Sequence, residues 1–198
     1  MSESVFLTKL ELGAAFCHKN RITDTYSLHR VIYSMFPKEN EPGRILYVDR
    51  GAEKGVREIL VQSLVMPDIP EDVPASIRKI SEKFFAAGKY RFEILLNPVK
   101  CDSKSQKRLP VTGQLPLLNY FSDRMGKWGF EADLNYLEVS SLPSIKFTCN
   151  DRQYRFNRAK FRGILTVTDM ELFRKNIVSG IGHGKAFGFG LMQLVPIQ

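Results

Sequence analysis

Segments of strand-like and helix-like sequence alternate along this chain, and a similar order of segments occurs twice. In the first half, strand patterns at 4–12, 44–50, 56–65 and 77–85 surround a helical pattern at 23–36. In the second half, strand patterns at 89–100, 130–139, 144–149, 152–157, 160–168 and 189–197 surround helical patterns at 114–128 and 169–179. Such alternation restricts the fold to sheets covered by helices.

The helical pattern at 23–36 has both a start signal and an apolar face. Thr23 or Asp24 is a suitable N-cap. The apolar side chains recur at helical spacing and form one stripe, made of Leu28, Val31, Ile32, Met35 and Phe36. In contrast, 66–76 contains three prolines and predicts a turn-rich connection.

Each half therefore has the βαββ(α)β order of a ferredoxin-like unit, also called a split βαβ unit. We predict an α+β protein with two tandem ferredoxin-like domains. The boundary is expected near Gly88, which gives an N-terminal domain at 1–88 and a C-terminal domain at 89–198.

A glycine-rich stretch follows the helical pattern at 169–179. The predicted N-cap of this helix is Asp169, and its predicted inward side chains are Met170, Phe173 and Ile177. P-loops and dinucleotide-binding loops come after a strand and open a helix. Here the order is reversed, and the continuous apolar run that follows predicts a buried strand. Ser179 also replaces the first P-loop glycine, and Ala186 follows Lys185 where Ser or Thr would bind Mg²⁺. The stretch is therefore predicted to be a helix-to-strand connection, with glycines at Gly180, Gly182, Gly184, Gly188 and Gly190.

Composition indicates a globular protein with a polyanionic partner. Hydrophobic residues make up 43% of the 198 residues, and 29 Lys and Arg exceed 21 Asp and Glu to give a net charge of +8. This surplus favours RNA or DNA over a membrane surface. An ordinary soluble protein that happens to be basic is the alternative.

No apolar run is long enough to span a membrane, and the N-terminal residues do not have the pattern of a signal peptide. The three cysteines, Cys17, Cys101 and Cys149, are far apart in sequence and form no CxxC pair. They are expected to be reduced thiols of a cytoplasmic protein. The spacing of histidines and carboxylates predicts no metal site, and no cofactor is expected.

Basic residues are concentrated in two segments. The first, a polar segment expected to be a mobile loop, contains Lys100, Lys104, Lys107 and Arg108. The second is a predicted hairpin in which Arg152, Arg155, Arg158, Lys160 and Arg162 alternate with Tyr154, Phe156 and Phe161. Residues two apart share a face of a strand, so Arg158, Lys160 and Arg162 are expected to line one side. A basic ribbon of this kind suits contact with RNA phosphates. The alternative is a solvated edge whose charges only prevent aggregation.

The chain has three histidines, of which His29 has the most informative neighbours. His29 lies on the flank of the apolar stripe at 23–36, and Tyr26 is three residues before it, so both side chains can point into one site. An imidazole and a phenol can transfer the protons that RNA cleavage by a ribose 2′-OH requires. The alternative is that both rings only border the core.

Four segments together resemble the CasE family of CRISPR repeat-processing endoribonucleases, the RNA-cutting subunit of Cascade complexes. They are 26–37, with the sequence YSLHRVIYSMFP; 97–110, which begins NPVK and ends QKRLP; 128–132, WGFEA; and 161–197, which contains the glycine-rich stretch. Together they extend over nearly the whole chain.

The resemblance implies two RNA-recognition-motif-like domains, metal-independent cutting at the base of a repeat hairpin, and retention of the product within a Cascade-like complex. The family's catalytic histidine corresponds to His29 and its companion tyrosine to Tyr26, and Lys185 adds a charge to a loop expected to approach RNA. A non-catalytic subunit that only binds the hairpin is the alternative. A DNA-binding regulator is disfavoured because no helix-turn-helix pattern is present.

Overall fold

A computed structural model describes residues 4–37, 43–104, 106–149 and 151–197. Its helices are α1 (Ala14–Lys19), α2 (Thr25–Ser34), α3 (Glu82–Phe85), α4 (Gln114–Met125) and α5 (Met170–Ser179). Its strands are β1 (Phe6–Gly13), β2 (Leu46–Glu53), β3 (Val56–Ser63), β4 (Ala75–Lys79), β5 (Lys89–Leu96), β6 (Val99–Cys101), β7 (Arg108–Pro110), β8 (Phe130–Ala132), β9 (Glu138–Cys149), β10 (Arg152–Val167) and β11 (Met192–Pro196).

The first sheet has the strand order β2-β3-β1-β4, and each neighbouring pair is antiparallel. Its first and third strands are central, as in a ferredoxin-like sheet. Leu10 and Leu12 of β1 are buried in the same core as Leu28 and Ile32 of α2, so α2 covers this face. The turn-rich connection predicted at 66–76 is confirmed, and β4 begins within its last two residues.

The second sheet has the order β11-β5-β10-β8, which is again the ferredoxin-like order, with the first and third strands of the unit in the centre. An additional strand, β9, pairs with β10 along Arg152–Arg162 and forms a long hairpin. Helices α4 and α5 contribute Phe121 and Phe173 to a core that also contains Phe130 and Phe161. The prediction of two ferredoxin-like units is confirmed.

Several predicted elements have different limits in the structure. The strand predicted at 77–85 ends at Lys79, and the Ser81 hydroxyl then caps the short helix α3 by accepting from the Phe84 amide. The segments predicted as two strands at 152–157 and 160–168 form the single strand β10, because its pairing with β9 continues past Asn157. The segment at 130–139 is interrupted by a 3₁₀ turn at Leu134–Tyr136.

The prediction that Met170 points inward is wrong, and the final strand, predicted to be buried, is buried only over its first half. Met170 is the first residue of α5 and is 41% exposed, whereas Phe173 and Ile177 are buried as predicted. β11 is an edge strand that pairs only with β5 among the described strands, so Val195 remains 61% exposed. The polar segment expected to be a loop instead forms the antiparallel ribbon β6–β7.

The two sheets are held together by contacts near the end of α5. The buried side chain of Gln62 on β3 donates to the backbone carbonyls of Ile177 (3.0 Å) and Val178 (3.3 Å). Leu46 and Val48 of β2 are buried with Leu191, which precedes β11. The domain boundary near Gly88 stays a prediction; Phe85, before it, packs in the second core.

A cleft of about 960 Å³ separates the open faces of the two sheets, and its walls include Leu7, Leu60 and Leu194. Neither Tyr26 nor His29 lines this cleft. The candidate catalytic pair therefore lies elsewhere, where α2 meets the second domain.

Within the glycine-rich stretch, Gly190 packs so closely against the backbone of Ile181 that a side chain at Gly190 would collide with it. Gly190 has φ +83°, and a Cβ at this position would lie 2.3 Å from the Ile181 carbonyl oxygen. We expect Gly190→Ala to lower the free energy of unfolding by about 1–3 kcal/mol, measured by urea denaturation.

Gly126→Ala is the matched control, because Gly126 has a helical φ of −61° and its added Cβ would meet no heavy atom within 4 Å. This control should be neutral or slightly stabilising. A Gly190→Ala protein as stable as the unsubstituted chain would contradict the described packing of the stretch.

Candidate active site

The helix that presents His29 begins with a well-defined cap. The Asp24 carboxylate accepts a hydrogen bond from the Ser27 amide (2.7 Å), and the Ser27 hydroxyl accepts from the Asp24 amide (3.0 Å). This reciprocal arrangement fixes the first turn of α2. The prediction that Thr23 or Asp24 caps the helix is thus resolved in favour of Asp24.

His29 is half-buried between aromatic rings from two different parts of the chain. Its ring centroid lies 4.1 Å from that of Tyr33 on the next turn of α2 and 5.3 Å from that of Phe187. Its Nδ1 is buried, and no described residue hydrogen bonds to it. Buried polar atoms without a partner are uncommon, and they often occur at functional sites.

Burial lowers the pKa of His29 below its usual range, and the nearby backbone of Ala186 only partly opposes this shift. The protonated form is disfavoured because a charged imidazolium loses hydration when it is buried. At neutral pH the imidazole is therefore uncharged, and it can accept a proton.

Tyr26 lies one turn before His29, with 6.3 Å between the two ring centroids. Its ring is parallel to that of Phe147 on β9, at a centroid distance of 6.2 Å. The neighbouring side chain of Cys149 is the largest cause of a raised pKa for Tyr26, while the charge of Arg30 acts in the opposite direction. The phenol is thus protonated at neutral pH and can donate a hydrogen bond.

These rings belong to a larger aromatic cluster that connects three elements: α2, the β9–β10 hairpin and the glycine-rich stretch. Its members are Tyr26, His29, Tyr33, Phe147, Tyr154, Phe156, Phe187 and Phe189. The centroids of Phe147 and Phe187 are 4.7 Å apart, and those of Phe156 and Phe189 are 5.6 Å apart. Each such pair contributes about 0.5–1.5 kcal/mol beyond area burial. The cluster therefore fixes the position of α2 relative to the second domain.

The glycine-rich stretch connects α5 to β11, as predicted, and packs against the first sheet. A Cβ on Gly180 (φ +75°) would lie 2.5 Å from Leu46 Cδ2. Gly188 lies against the ring of Tyr47, while Gly182 and Gly184 lie against Leu96 and Phe189 of the second domain. The glycines thus allow close packing between the two domains.

Lys185 is held by the end of α5. Its Nζ donates to the carbonyl of Ser179, the last residue of that helix, at 2.9 Å. Burial, with a smaller effect from Arg44, lowers the pKa of Lys185. A lysine at this position also complements the negative end of the helix dipole. A contact between Lys185 and RNA stays a prediction.

The structure divides the basic residues of the hairpin into two groups. Lys160 and Arg162 both pair with Glu93 on β5, in agreement with the prediction that they share a face. In the part of the chain that the structure describes, Arg155 and Arg158 form no ion pair. Of the predicted aromatic neighbours, Tyr154 and Phe156 join the aromatic cluster, but Phe161 is buried in the second core.

The other predicted RNA-binding residues lie on the β6–β7 ribbon or in its turn. Lys100 is opposite Leu109, Arg108 is opposite Cys101, and Lys107 precedes Arg108. All three basic side chains are exposed. The charge of Arg108 also reaches His183, so the ribbon lies near the glycine-rich stretch.

Sequence patterns missed three residues that complete the site: Phe147, Cys149 and Phe187. No periodicity indicates that β9 and the glycine-rich stretch meet α2, since these contacts join residues more than a hundred positions apart.

Within the described ranges, no three His, Cys, Asp or Glu side chains group as metal ligands would, and no helix is long and apolar enough to cross a membrane.

The protein is thus of the class with two ferredoxin-like domains in tandem. A glycine-rich stretch joins the domains, and a histidine and a tyrosine lie at their junction. Residues 5–196 match the model of a family described as "CRISPR associated protein". The chain belongs to this family of CRISPR-associated proteins.

Two similar proteins and one solved structure extend this comparison. The chain is 23% identical to "CRISPR system Cascade subunit CasE" of Escherichia coli (strain K12), over 98% of this chain and 100% of the relative. It is 26% identical to "CRISPR-associated endoribonuclease Cse3" of Thermus thermophilus, over 97% of this chain and 100% of the relative. A solved structure of Thermus thermophilus Cse3, bound to an RNA that represents a pre-cleavage complex, superposes with a TM-score of 0.81 at 24% identity and covers 98% of this chain and 100% of that one. This last likeness establishes the shared fold.

Proposed function

We propose that this protein is a metal-independent endoribonuclease that cuts CRISPR precursor RNA at the base of the repeat hairpin. The observation that carries the proposal is the pair His29 and Tyr26, held together by the aromatic cluster at the junction of the two domains. The relatives support it, since one is named an endoribonuclease and has been solved with RNA.

His29 acts as the general base in this proposal. Its uncharged imidazole takes the proton of a ribose 2′-OH, and the 2′-oxygen attacks the adjacent phosphorus. The bond from phosphorus to the 5′-oxygen then breaks, and the departing oxygen takes up a proton from water. The products are a 2′,3′-cyclic phosphate and a 5′-hydroxyl. The lowered pKa of His29 suits this role because it keeps the imidazole free to accept a proton at neutral pH.

Tyr26 donates a hydrogen bond in the same step. Because its pKa is raised, the phenol keeps its proton at neutral pH and can donate to a phosphoryl oxygen. Negative charge accumulates on that oxygen in the phosphorane, and a fixed donor stabilises it more than the starting phosphate. The charges of Arg30 and Arg44 reach Tyr26 and Tyr33 respectively and add positive potential around the pair.

Affinity for the hairpin comes from basic residues outside the catalytic pair. Arg155 and Arg158 have no ion pair among the described residues, and they lie on the hairpin that also contributes to the aromatic cluster. Lys100, Lys107, Arg108, Lys160, Arg162 and Lys185 extend the basic surface. A net charge of +8 supports retention of the cut RNA, because phosphate contacts supply much of the binding free energy.

The proposed setting follows from the relatives. One is named a Cascade subunit, which supports a role for this chain beside other subunits of a Cascade-like effector complex in the cytoplasm. We assign the catalytic helix to an N-terminal domain at 1–88 and the hairpin and glycine-rich stretch to a C-terminal domain at 89–198.

Substitution of His29 tests the catalytic assignment. We expect His29→Ala to reduce the single-turnover cleavage rate about 10²- to 10⁴-fold, because it removes proton transfer. Hairpin affinity, measured by filter binding, should stay close to that of the unsubstituted protein, because other residues contact the phosphates.

His18→Ala is the matched control, since His18 lies exposed on α1 and does not belong to the aromatic cluster. It should cut at the normal rate. If His29→Ala cuts as fast as this control, His29 is not the base. If the unsubstituted protein binds hairpins in EDTA without cutting them, it is the non-catalytic subunit.

The pH dependence distinguishes a base from an acid at His29. Below its pKa the imidazole is protonated and cannot take the 2′-OH proton, so the cleavage rate should rise with pH through that value. Because burial lowers this pKa, the inflection should lie below the usual value of about 6.5. A single-turnover rate that falls as pH increases through this region would instead identify His29 as the acid.

Paired arginine substitutions test the hairpin contact. Replacing Arg155 and Arg158 with Ala should reduce the slope of log affinity against log salt by about 1.8, which corresponds to two lost phosphate contacts on a duplex. Replacing Lys83 and Lys89 removes the same charge outside the hairpin, because Lys83 lies on α3 and Lys89 pairs with Thr166 at the other end of β10. Equal slopes for the two double variants would mean that the hairpin does not contact the stem.

A further inference from the structure

A second basic pocket lies in the C-terminal domain, on the side of the glycine-rich stretch that faces α4 and β6. Its volume is about 670 Å³, and its walls include Lys100, Tyr120, Arg124, Lys127 and His183. None of the aromatic-cluster residues lines it. It is thus separate from the pair of His29 and Tyr26.

The pocket carries cationic groups that lack anionic partners. In the described ranges, no carboxylate forms an ion pair with Arg124, Lys127 or Lys100. Asp123 is the single acidic residue in the lining, against the three basic side chains of Lys100, Arg124 and Lys127. A site with this excess of positive charge favours an anion.

Arg124 is held in position before any ligand binds. Its Nη1 donates to the Tyr120 carbonyl (3.0 Å), and its guanidinium carbon lies 4.0 Å from the centroid of the Tyr120 ring. A guanidinium fixed in this way keeps further N–H groups available for a phosphate, and little side-chain entropy is lost on binding.

His183 adds a hydrogen-bonding group at the exposed edge of the pocket. Burial, followed by the charges of Arg108, Lys185 and Arg124, lowers the pKa of His183, so its imidazole is uncharged at neutral pH. An uncharged imidazole still donates through one ring nitrogen. The three cations whose charges act on it come from β7, the glycine-rich stretch and α4.

We propose that this pocket binds a phosphodiester of the RNA strand that passes through the candidate active site, as an anchoring point distinct from the scissile phosphate. The identity of the ligand as RNA rests on the proposed function. His183 is only four positions before Phe187, which contacts His29, so at most about 14 Å of extended backbone joins the two sites. Lys185 lies between them and continues the positive surface.

The test compares the double variant Arg124→Gln/Lys127→Ala with the unsubstituted full-length protein. Binding of a repeat hairpin RNA with its flanking single strands is measured over a range of KCl concentrations. Loss of two phosphate contacts should weaken binding and reduce the log–log salt slope by about 1.4–1.8. Lys127→Ala alone, an exposed substitution that should not affect folding, should reduce the slope by about half as much.

Lys89→Ala/Lys175→Ala is the charge-matched control, since both lysines are exposed and neither lines the pocket. A slope equal for this control and for the double variant would overturn the proposal. Inorganic phosphate serves as a second probe. It could raise the melting temperature of the unsubstituted protein but not of the double variant, while the two proteins have equal salt slopes for RNA binding. In that case the pocket binds a free anion and not RNA. A protein that binds the hairpin without cutting it would refute the proposed activity but would leave the slope comparison valid.

Discussion

The close packing of the glycine-rich stretch against the first sheet is the contact on which the rest of the site depends. Gly180 lies against Leu46, where a Cβ would come within 2.5 Å of Cδ2, and Gly188 lies against the ring of Tyr47. The Gln62 amide reinforces this approach by donating to the last carbonyls of α5. Because the stretch lies between the two domains, it determines where Phe187 meets α2.

The chemistry of the candidate site follows from this junction and not from either domain alone. His29 is half-buried because Tyr33 covers it from its own helix and Phe187 covers it from the other domain. That burial lowers the imidazole pKa, while the neighbouring Cys149 of β9 raises the pKa of Tyr26. One proton acceptor and one hydrogen-bond donor, each in the protonation state that the proposed cleavage requires, therefore lie one helical turn apart at neutral pH.

Much of the fold could be predicted from local sequence signals, because capping and periodicity act over a few residues. The caps at Asp24 and Asp169, the stripe on α2 and the helix-to-strand character of the glycine-rich stretch are confirmed. The length of the β9–β10 hairpin and the exposure of Met170 and Val195 could not be predicted, because they depend on which strands pair and which edges stay open. For the same reason, the sequence identified His29 and Tyr26 but not Phe147 or Phe187, which reach them only in the folded chain.

Cleavage by a ribose 2′-OH, without a metal ion, is the central claim, and a single atom of the substrate tests it. The measurement compares two repeat hairpin RNAs in EDTA, one unmodified and one with a 2′-deoxy sugar at the nucleotide just before the cut. The account predicts a discrete product with a 2′,3′-cyclic phosphate from the first RNA and no cleavage of the second, although both bind equally. Cleavage of the deoxy RNA at the same bond and rate would contradict it, because no 2′-oxygen would be available to attack.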